Sequence, residues 1–428
     1  MKNSGIEWIG EIPDSWKLVR FKDICINKKE IAGESSENYE RLALTLGGVI
    51  KRPKYDSDGL QPKEFDGYQI ICENDFIFKM IDLQNISTSR VGLSPYCGLV
   101  SPAYIRFSPR EEGQYNEYVY YFLMSMYYNC VYNSLGGNGV RSALNATDIG
   151  QLMIPFPAIE KQQKIVAFLE NAFKKIDKLI EVQQAQIEKL KEYKQSVITE
   201  AVTKGLDPTA PMKDSGVEWI GKIPEGWNVK GIKKVASFVN GYAFASTEFR
   251  NEGVMVLKIT NVQPQKIVYD NLSYVDEKCY DNLIAFRLNK GDLLFALTRP
   301  IINGGIKVGI YLKDDICLIN QRTAKLQPKS NLNSKWIMYL CCVKAFLWEY
   351  SLLIDVTGLQ PNISANDILT IKIPLPKIEM QKEIIAYLDD KCAKIDKLIA
   401  LKQSKIEKLQ EYKKSLIYEY VTGKKEVM

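Results

Sequence analysis

The chain has 428 residues, 46% of them apolar and 25% charged, which is ordinary for a globular protein and enough to bury two or more cores. It contains no histidine, which removes Ser-His and Cys-His catalysis, histidine metal sites and the commonest general base. The net charge of +6 only mildly favours an anionic partner, and the nine cysteines, without a Cys-x-x-Cys pair, read as reduced thiols rather than a disulfide frame or a zinc site.

The opening, residues 1–24 (MKNSGIEWIGEIPDSWKLVRFKDI), returns at 212–235 (MKDSGVEWIGKIPEGWNVKGIKKV). Trp8, Trp16, Trp219 and Trp227 in these openings read as packing anchors at domain edges rather than as ligand contacts. Residues 25–153 then align poorly with 236–372, so a repeated scaffold frames a variable region twice. Within the first variable region, Asp75-Phe76-Ile77-Phe78 is a short apolar run after an Asn74-Asp75 turn and predicts a strand. One helix is expected over 115–132; its tyrosines read as core, with base stacking as the sharper but less common alternative.

Residues 154–203 return at 373–422 with more than half the positions identical. Each copy begins Ile-Pro-x-Pro-x-Ile-Glu-x-Gln, read as a turn that stops a strand and starts a helix, because Pro fixes φ and suits a first helical turn. Ile176, Ile180, Gln183, Ile187, Leu190, Lys194, Val197 and Ala201 alternate four and three apart, as do Ile395, Ile399, Lys402, Ile406, Leu409, Lys413, Leu416 and Tyr420. That is a heptad seam in both copies, with polar residues at matching places. A helix over 159–203 would run roughly 65 Å at about 1.5 Å per residue, too long to stand without a partner. Its own copy is the nearest partner, which predicts an intramolecular two-helix coiled coil. Only the linker 205–211, with Gly205, Pro208 and Pro211, precedes the second unit, so the helices are expected to run antiparallel. A pseudo-two-fold axis would then bring Met1 close to Thr422 and Gly423, and a circular permutant opened in that linker is expected to fold.

In the second variable region, Asp292-Leu293-Leu294-Phe295 and residues 254–259 predict buried strands, and residues 335–350 a helix. Each region carries a basic stretch: Lys79, Arg90, Arg106 and Arg110 against Asp82 in the first, and seven basic residues over 287–325 against Asp292, Asp314 and Asp315 in the second. Charge alone does not separate a solvated surface from phosphate contacts. The fold class expected is α+β: two strand-rich domains, 1–153 and 212–372, with long helices at 154–204 and at 373–428, the latter including the tail.

The paired Gly-x-Glu-Trp-Ile-Gly-x-Ile-Pro-x-x-Trp openings at 5–16 and 216–227, with the Ile-Pro-x-Pro-x-Ile-Glu-x-Gln segments at 154–162 and 373–381, resemble the specificity subunit of a type I restriction-modification system over essentially the whole chain. The resemblance implies two target-recognition domains, each reading half of an interrupted sequence in double-stranded DNA, spaced by an antiparallel helical rod. It further implies that the rod docks two modification subunits, which bring S-adenosylmethionine and flip an adenine in each half-site. A motor-nuclease restriction subunit using ATP and Mg would join them in the restriction complex. This chain itself would hold no cofactor, no metal and no catalytic residue.

Base readout needs Arg, Lys, Asn, Gln, Ser or Thr carried on loops to base edges, with phosphate contacts holding register. The candidates are Lys79, Gln84, Asn85, Ser87, Thr88, Ser89 and Arg90, with Arg141 beside the Gly136-Gly137-Asn138-Gly139 turn, in the first region, and Thr298, Arg299, Asn303, Lys307, Gln321 and Arg322 in the second. At each such position a plain surface or turn-closing role is the competing reading. An enzyme acting on DNA by itself is disfavoured: there is no Pro-Pro dipeptide for an amino-methyltransferase motif and no Gly-Lys-Ser/Thr loop. A coiled-coil adaptor binding only proteins would leave two large unlike domains unused. No apolar run reaches the ~18 to 20 residues of a spanning helix and no signal-like segment follows Met1, so the expected location is cytoplasmic, away from membranes.

Overall fold

The computed structural model describes residues 1–54, 64–81, 83, 90–111, 116–135 and 143–427. The chain is α+β and divides into two compact units, Met1–Gln184 with Gln403–Met428, and Ala185–Lys402. The division passes through both long helices, Ile159–Lys204 and Ile378–Val421, so each helix gives one half to each unit.

In the first unit the variable region forms strands β1 (Cys25–Asn27), β2 (Arg41–Thr45), β3 (Gly48–Arg52), β4 (Gln69–Ile71), β5 (Phe76–Lys79), β6 (Arg90–Leu93), β7 (Gly98–Val100) and β8 (Ile105–Pro109). They make two four-stranded sheets, β1-β8-β5-β6 and β3-β2-β7-β4. One pair is parallel: β7 lies on β2 with Leu99 opposite Arg41. A Cβ on Gly98 would stand 2.6 Å from the Glu40 carbonyl oxygen, so that close approach requires glycine. Phe76, Ile77 and Phe78 are buried on both faces of their sheet, and Phe21 packs on Phe76, Phe78 and Phe107 with ring centroids 4.9 to 5.7 Å apart.

In the second unit the strands are β9 (Ala236–Asn240), β10 (Val254–Leu257), β11 (Ser273–Val275), β12 (Leu293–Ala296), β13 (Val308–Ile310), β14 (Cys317–Ile319) and β15 (Thr323–Pro328). Their orders are β9-β15-β12-β13 and β11-β10-β14, with β10 and β14 parallel. This is the first unit's order strand for strand, apart from β4, in two regions whose sequences barely align. The counterpart of β4 is reduced to a single bridge between Arg287 and Leu318.

The frame around each sheet is built from the repeated segments. Lys17–Arg20 pairs antiparallel with Met153–Phe156, and Asn228–Gly231 with Lys372–Leu375. The Ile-Pro segment is therefore a strand first and a turn second. Pro155 and Pro374 sit inside these ladders, which is tolerated because both strands of a two-stranded ribbon are edges. The repeated glutamine closes the turn: Gln162 Nε2 donates to the Pro157 carbonyl at 2.8 Å, and Gln381 Nε2 to that of Pro376 at 2.9 Å. Both glutamines are fully buried.

The single helix expected over 115–132 is two helices, Asn116–Tyr128 and Val131–Leu135, broken at Cys130 with φ +57°. Its counterpart is also split, into Ser334–Leu340 and Lys344–Leu352. Neither break has a Gly or Pro to announce it; packing decides both. Tyr118, Tyr132, Tyr339 and Tyr350 are buried, while Tyr120, Tyr121, Tyr127 and Tyr128 are half-buried against the first core. Burial pushes the Tyr118 and Tyr132 hydroxyls well above the ordinary tyrosine range.

The helices run antiparallel within each unit. In the first, Phe168 stacks on Tyr420 at 4.4 Å and Lys413 Nζ reaches Asp177 at 2.8 Å. In the second, Lys402 Nζ donates to Gln186 at 2.5 Å and Lys194 Nζ reaches Asp396 at 2.8 Å. Of the seam residues, Ile176, Gln183, Ile187, Val197, Ala201, Ile395, Ile406 and Leu416 are buried, and Ile180, Leu190, Lys194, Ile399, Lys402, Leu409, Lys413 and Tyr420 half-buried. The polar seam positions thus have a purpose: Lys194 and Lys413 are repeat counterparts, as are Asp396 and Asp177, and each lysine finds the other helix's aspartate. Such pairs set register more than they stabilise. Lys194→Asp is expected to cost about 1 kcal/mol or less, with most of it restored by adding Asp396→Lys, since the exchange returns opposite charges to the same register. Denaturation midpoints of the two single variants and the double variant measure this; a double variant no better than the additive sum would show that the pair does not couple.

The N-terminal opening rests on the end of the C-terminal helix within the first unit. Lys424 Nζ donates to the Glu11 carbonyl at 2.7 Å and Tyr418 Oη to that of Trp8 at 3.2 Å. Trp16, Trp227 and their neighbours are buried in the two main cores. Among the described residues, no helix is long and apolar enough to cross a membrane.

Candidate nucleic-acid interface

In each unit an inner strand, β5 in the first and β12 in the second, ends in a backbone tie that gathers two loops. In the first unit Ile81 bridges Ala143, and Leu144 N–H donates to the Met80 carbonyl at 3.1 Å. In the second, Thr298 bridges Asn362, and Ile363 N–H donates to the Leu297 carbonyl at 2.9 Å. The loop after β5 and the loop before the final short helix therefore spring from one point in both units. Gln84, Asn85, Ser87, Thr88, Ser89 and Arg141, the candidates on the first unit's loops, lie outside the described residues, as does the Arg90 side chain. Lys79 is half-buried at the end of β5, its backbone opposite Arg90.

The second unit's site is described in full. After β12, Thr298 is buried and its hydroxyl donates to Asn362 Oδ1 at 2.6 Å. Arg299 follows with φ +46°, held by its N–H on the Pro361 carbonyl at 2.8 Å. A hairpin comes next, Ile301 opposite Ile306 and Ile302 opposite Gly305. Asn303 and Gly304 form its tip at φ +49° and +71°, the backbone signature of a type I′ turn. Lys307 closes the loop. It is 5% exposed, and its Nζ donates inward to the Ile259 carbonyl. Burial, and then the nearby Arg299 charge, push its ammonium below the ordinary lysine range.

Gln321 and Arg322 are exposed on the turn between β14 and β15, and the Arg322 carbonyl accepts from Leu297 N–H at 2.9 Å. One strand exit thus ties three loops together. Beside the hairpin and the 355–362 loop, but not the Gln321-Arg322 turn, lies an open groove of about 660 Å³, walled by Thr260, Gln263, Arg299, Ile302, Lys307 and Val356 among others. The third loop, 355–362, was missed from sequence. Asp355 anchors it, its carboxylate lowered by the Thr357 hydroxyl and backbone N–H. Gln360 there is the counterpart of Arg141, so the repeat offset that aligns the helices would have found it.

Two further basic residues turn out, like Lys307, to be internal. Arg106 is 4% exposed; its Nε lies 2.6 Å from Asp75 Oδ2, poorly aligned for a hydrogen bond, while Nη1 donates to the Ile70 carbonyl at 2.6 Å. Lys325 repeats this in the second unit, with Nζ 3.5 Å from Asp292 and 2.6 Å from the Arg287 carbonyl. Neither charge is a solvated surface group or is available for a phosphate. Among the described residues no group of three or more His, Cys, Asp or Glu is placed to hold a metal.

A constant frame around two domains of one strand order, with polar loops gathered at one strand exit in the second, defines a duplicated two-domain protein. The sequence matches the type I restriction modification DNA specificity domain over residues 13–189 and 224–411, and the chain belongs to that family. It is similar to the type I restriction enzyme MjaVIII specificity subunit of Methanocaldococcus jannaschii, 30% identical over 419 residues that span 96% of this chain and 93% of the relative. In fold it is similar to a chain from the structure described as the basis of complex assembly and conformational transition of the type I R-M system, with TM-score 0.69 at 15% identity over 96% of this chain and 98% of that one. It is also similar to the HsdS subunit of Thermoanaerobacter tengcongensis, with TM-score 0.52 at 16% identity over 99% and 100%.

Proposed function

We propose that this chain is the DNA-recognition subunit of a type I restriction-modification complex, reading an interrupted target in double-stranded DNA through two domains, one per half-site. The observation that carries the reading is the shared strand order with unlike loops at the same exit, Ile81 with Ala143 in one unit and Thr298 with Asn362 in the other. One scaffold holding two different loop sets suits two different half-sites. The repeated helices and openings, being near-copies, suit two identical modification subunits. In this reading the chain is not an enzyme: methylation belongs to those subunits with their S-adenosylmethionine, and cleavage to a restriction subunit using ATP and Mg.

The test is adenine-methylation mapping in a methylation-free host expressing this chain with its modification subunit, against the modification subunit alone. A methylated interrupted motif that depends on this chain is the expected result. Co-purification without any motif would overturn the reader role and leave an adaptor. Binding of the assembled complex to a duplex carrying the motif should weaken steeply between about 50 and 200 mM salt, since each neutralised phosphate releases counterions.

A further inference from the structure

We infer that the second half-site is read by Asn303 at the hairpin tip and by Arg299 at the hairpin's base, and that Thr298 and Lys307 are positioning residues that do not touch DNA. The inference rests on the recognition role above and assigns its chemistry. Four polar side chains lie within ten residues of one strand exit, and the structure divides them by what their polar atoms already do. Thr298 and Lys307 are buried and committed, one to Asn362 and the other to the Ile259 carbonyl. Asn303 and Arg299 are exposed, and neither side chain has a hydrogen-bond or ion-pair partner among the described residues.

The backbone is arranged to present these two. A type I′ tip carries Asn303 outward on a two-stranded ribbon, an element that the major groove of B-DNA admits. Arg299 occupies the left-handed region, which a non-glycine residue holds only where its surroundings impose it. Here they do: Arg299 N–H is fixed by Pro361, Thr298 by Asn362 on one side, and Lys307 N–H by the Pro300 carbonyl at 2.8 Å on the other. An amide can pair with both N6 and N7 of adenine, and a guanidinium fork with O6 and N7 of guanine. The expected partners are therefore an adenine and a guanine edge in one half of the target.

The experiment is motif mapping with the complete complex carrying Asn303→Gly, Arg299→Lys or Lys307→Met. Glycine keeps the left-handed turn and removes only the amide, so folding is preserved; lysine keeps the charge and removes the fork. Asn303→Gly is expected to relax one position, and Arg299→Lys another, in the same half of the motif, with about tenfold or greater loss of discrimination at each and the other half unchanged. Lys307→Met should lower the overall methylation rate without changing which bases are accepted. An unaltered motif with Asn303→Gly and Arg299→Lys, or relaxation in opposite halves, overturns the assignment while leaving the recognition role intact. A changed base preference with Lys307→Met overturns the positioning role. Absence of any motif with the unaltered chain refutes the recognition role itself.

Discussion

Arg106→Met is expected to destabilise the first unit by about 3–5 kcal/mol, as removal of one partner from a buried ion pair does. The cost comes from what is left behind. Asp75 is 2% exposed and also accepts from Cys72 N–H at 2.6 Å and from the Ser108 hydroxyl at 2.5 Å, so its carboxylate stays in place with its counter-charge gone. The Ile70 carbonyl loses its guanidinium donor as well. Lys325→Met should cost less, because its contact to Asp292 is longer and the Asp292 carboxylate keeps about a fifth of its surface in water. Chemical denaturation followed by circular dichroism compares the two. An Arg106→Met variant as stable as the parent would mean that apolar packing fully offsets the pair, as happens when both charges are replaced together.

The second large effect is expected at Trp336. Trp336→Ala should remove about 3–5 kcal/mol from the second unit, the range for deleting a fully buried large aromatic. Its ring meets Trp227 edge-on at 5.8 Å, and its Nε1 donates to the Pro374 carbonyl at 3.0 Å. That carbonyl belongs to the ribbon joining the opening to the long helix, so the indole fastens the recognition sheet to its frame. The first unit solves the same problem with a different residue: the Tyr118 hydroxyl donates to the equivalent Pro155 carbonyl at 2.7 Å. Trp336→Phe keeps much of the ring and drops the donor, and should cost less than alanine but still about 1–3 kcal/mol for the orphaned carbonyl. Equal costs for Phe and Ala would show that the hydrogen bond, not the volume, dominates.

The long helices were legible because their signal is local and stated twice: apolar residues every 3.5 positions from Ile176 to Val197 and again from Ile395 to Leu416, with no Gly or Pro inside. The short buried strands after Asn74-Asp75 and Gly291-Asp292 were legible for a similar reason, an apolar run behind a turn. The helix breaks were not. Cys130 takes a left-handed conformation that nothing in its neighbours demands, because the docking of Tyr132 and Val131 into the core outweighs continuing the helix.

Charge was the least legible quantity. Arg106 and Lys325 looked like members of basic stretches, yet each is neutralised by an aspartate about thirty residues away in sequence and brought alongside by strand pairing. Lys307 and Thr298 were candidates as polar loop residues able to reach base edges, and the structure turns both inward.

The amino-acid sequence by itself determined the duplication, the seam and the family, since these depend on residue order and short-range period alone. The tertiary structure alone decided that two unalignable regions share one strand order, that three loops converge on the exit after β12, and that Arg299 and Asn303 face outward while Lys307 does not. Those are outcomes of non-local pairing, Leu99 on Arg41 or Thr298 on Asn362, where each contact depends on a partner that no local pattern names.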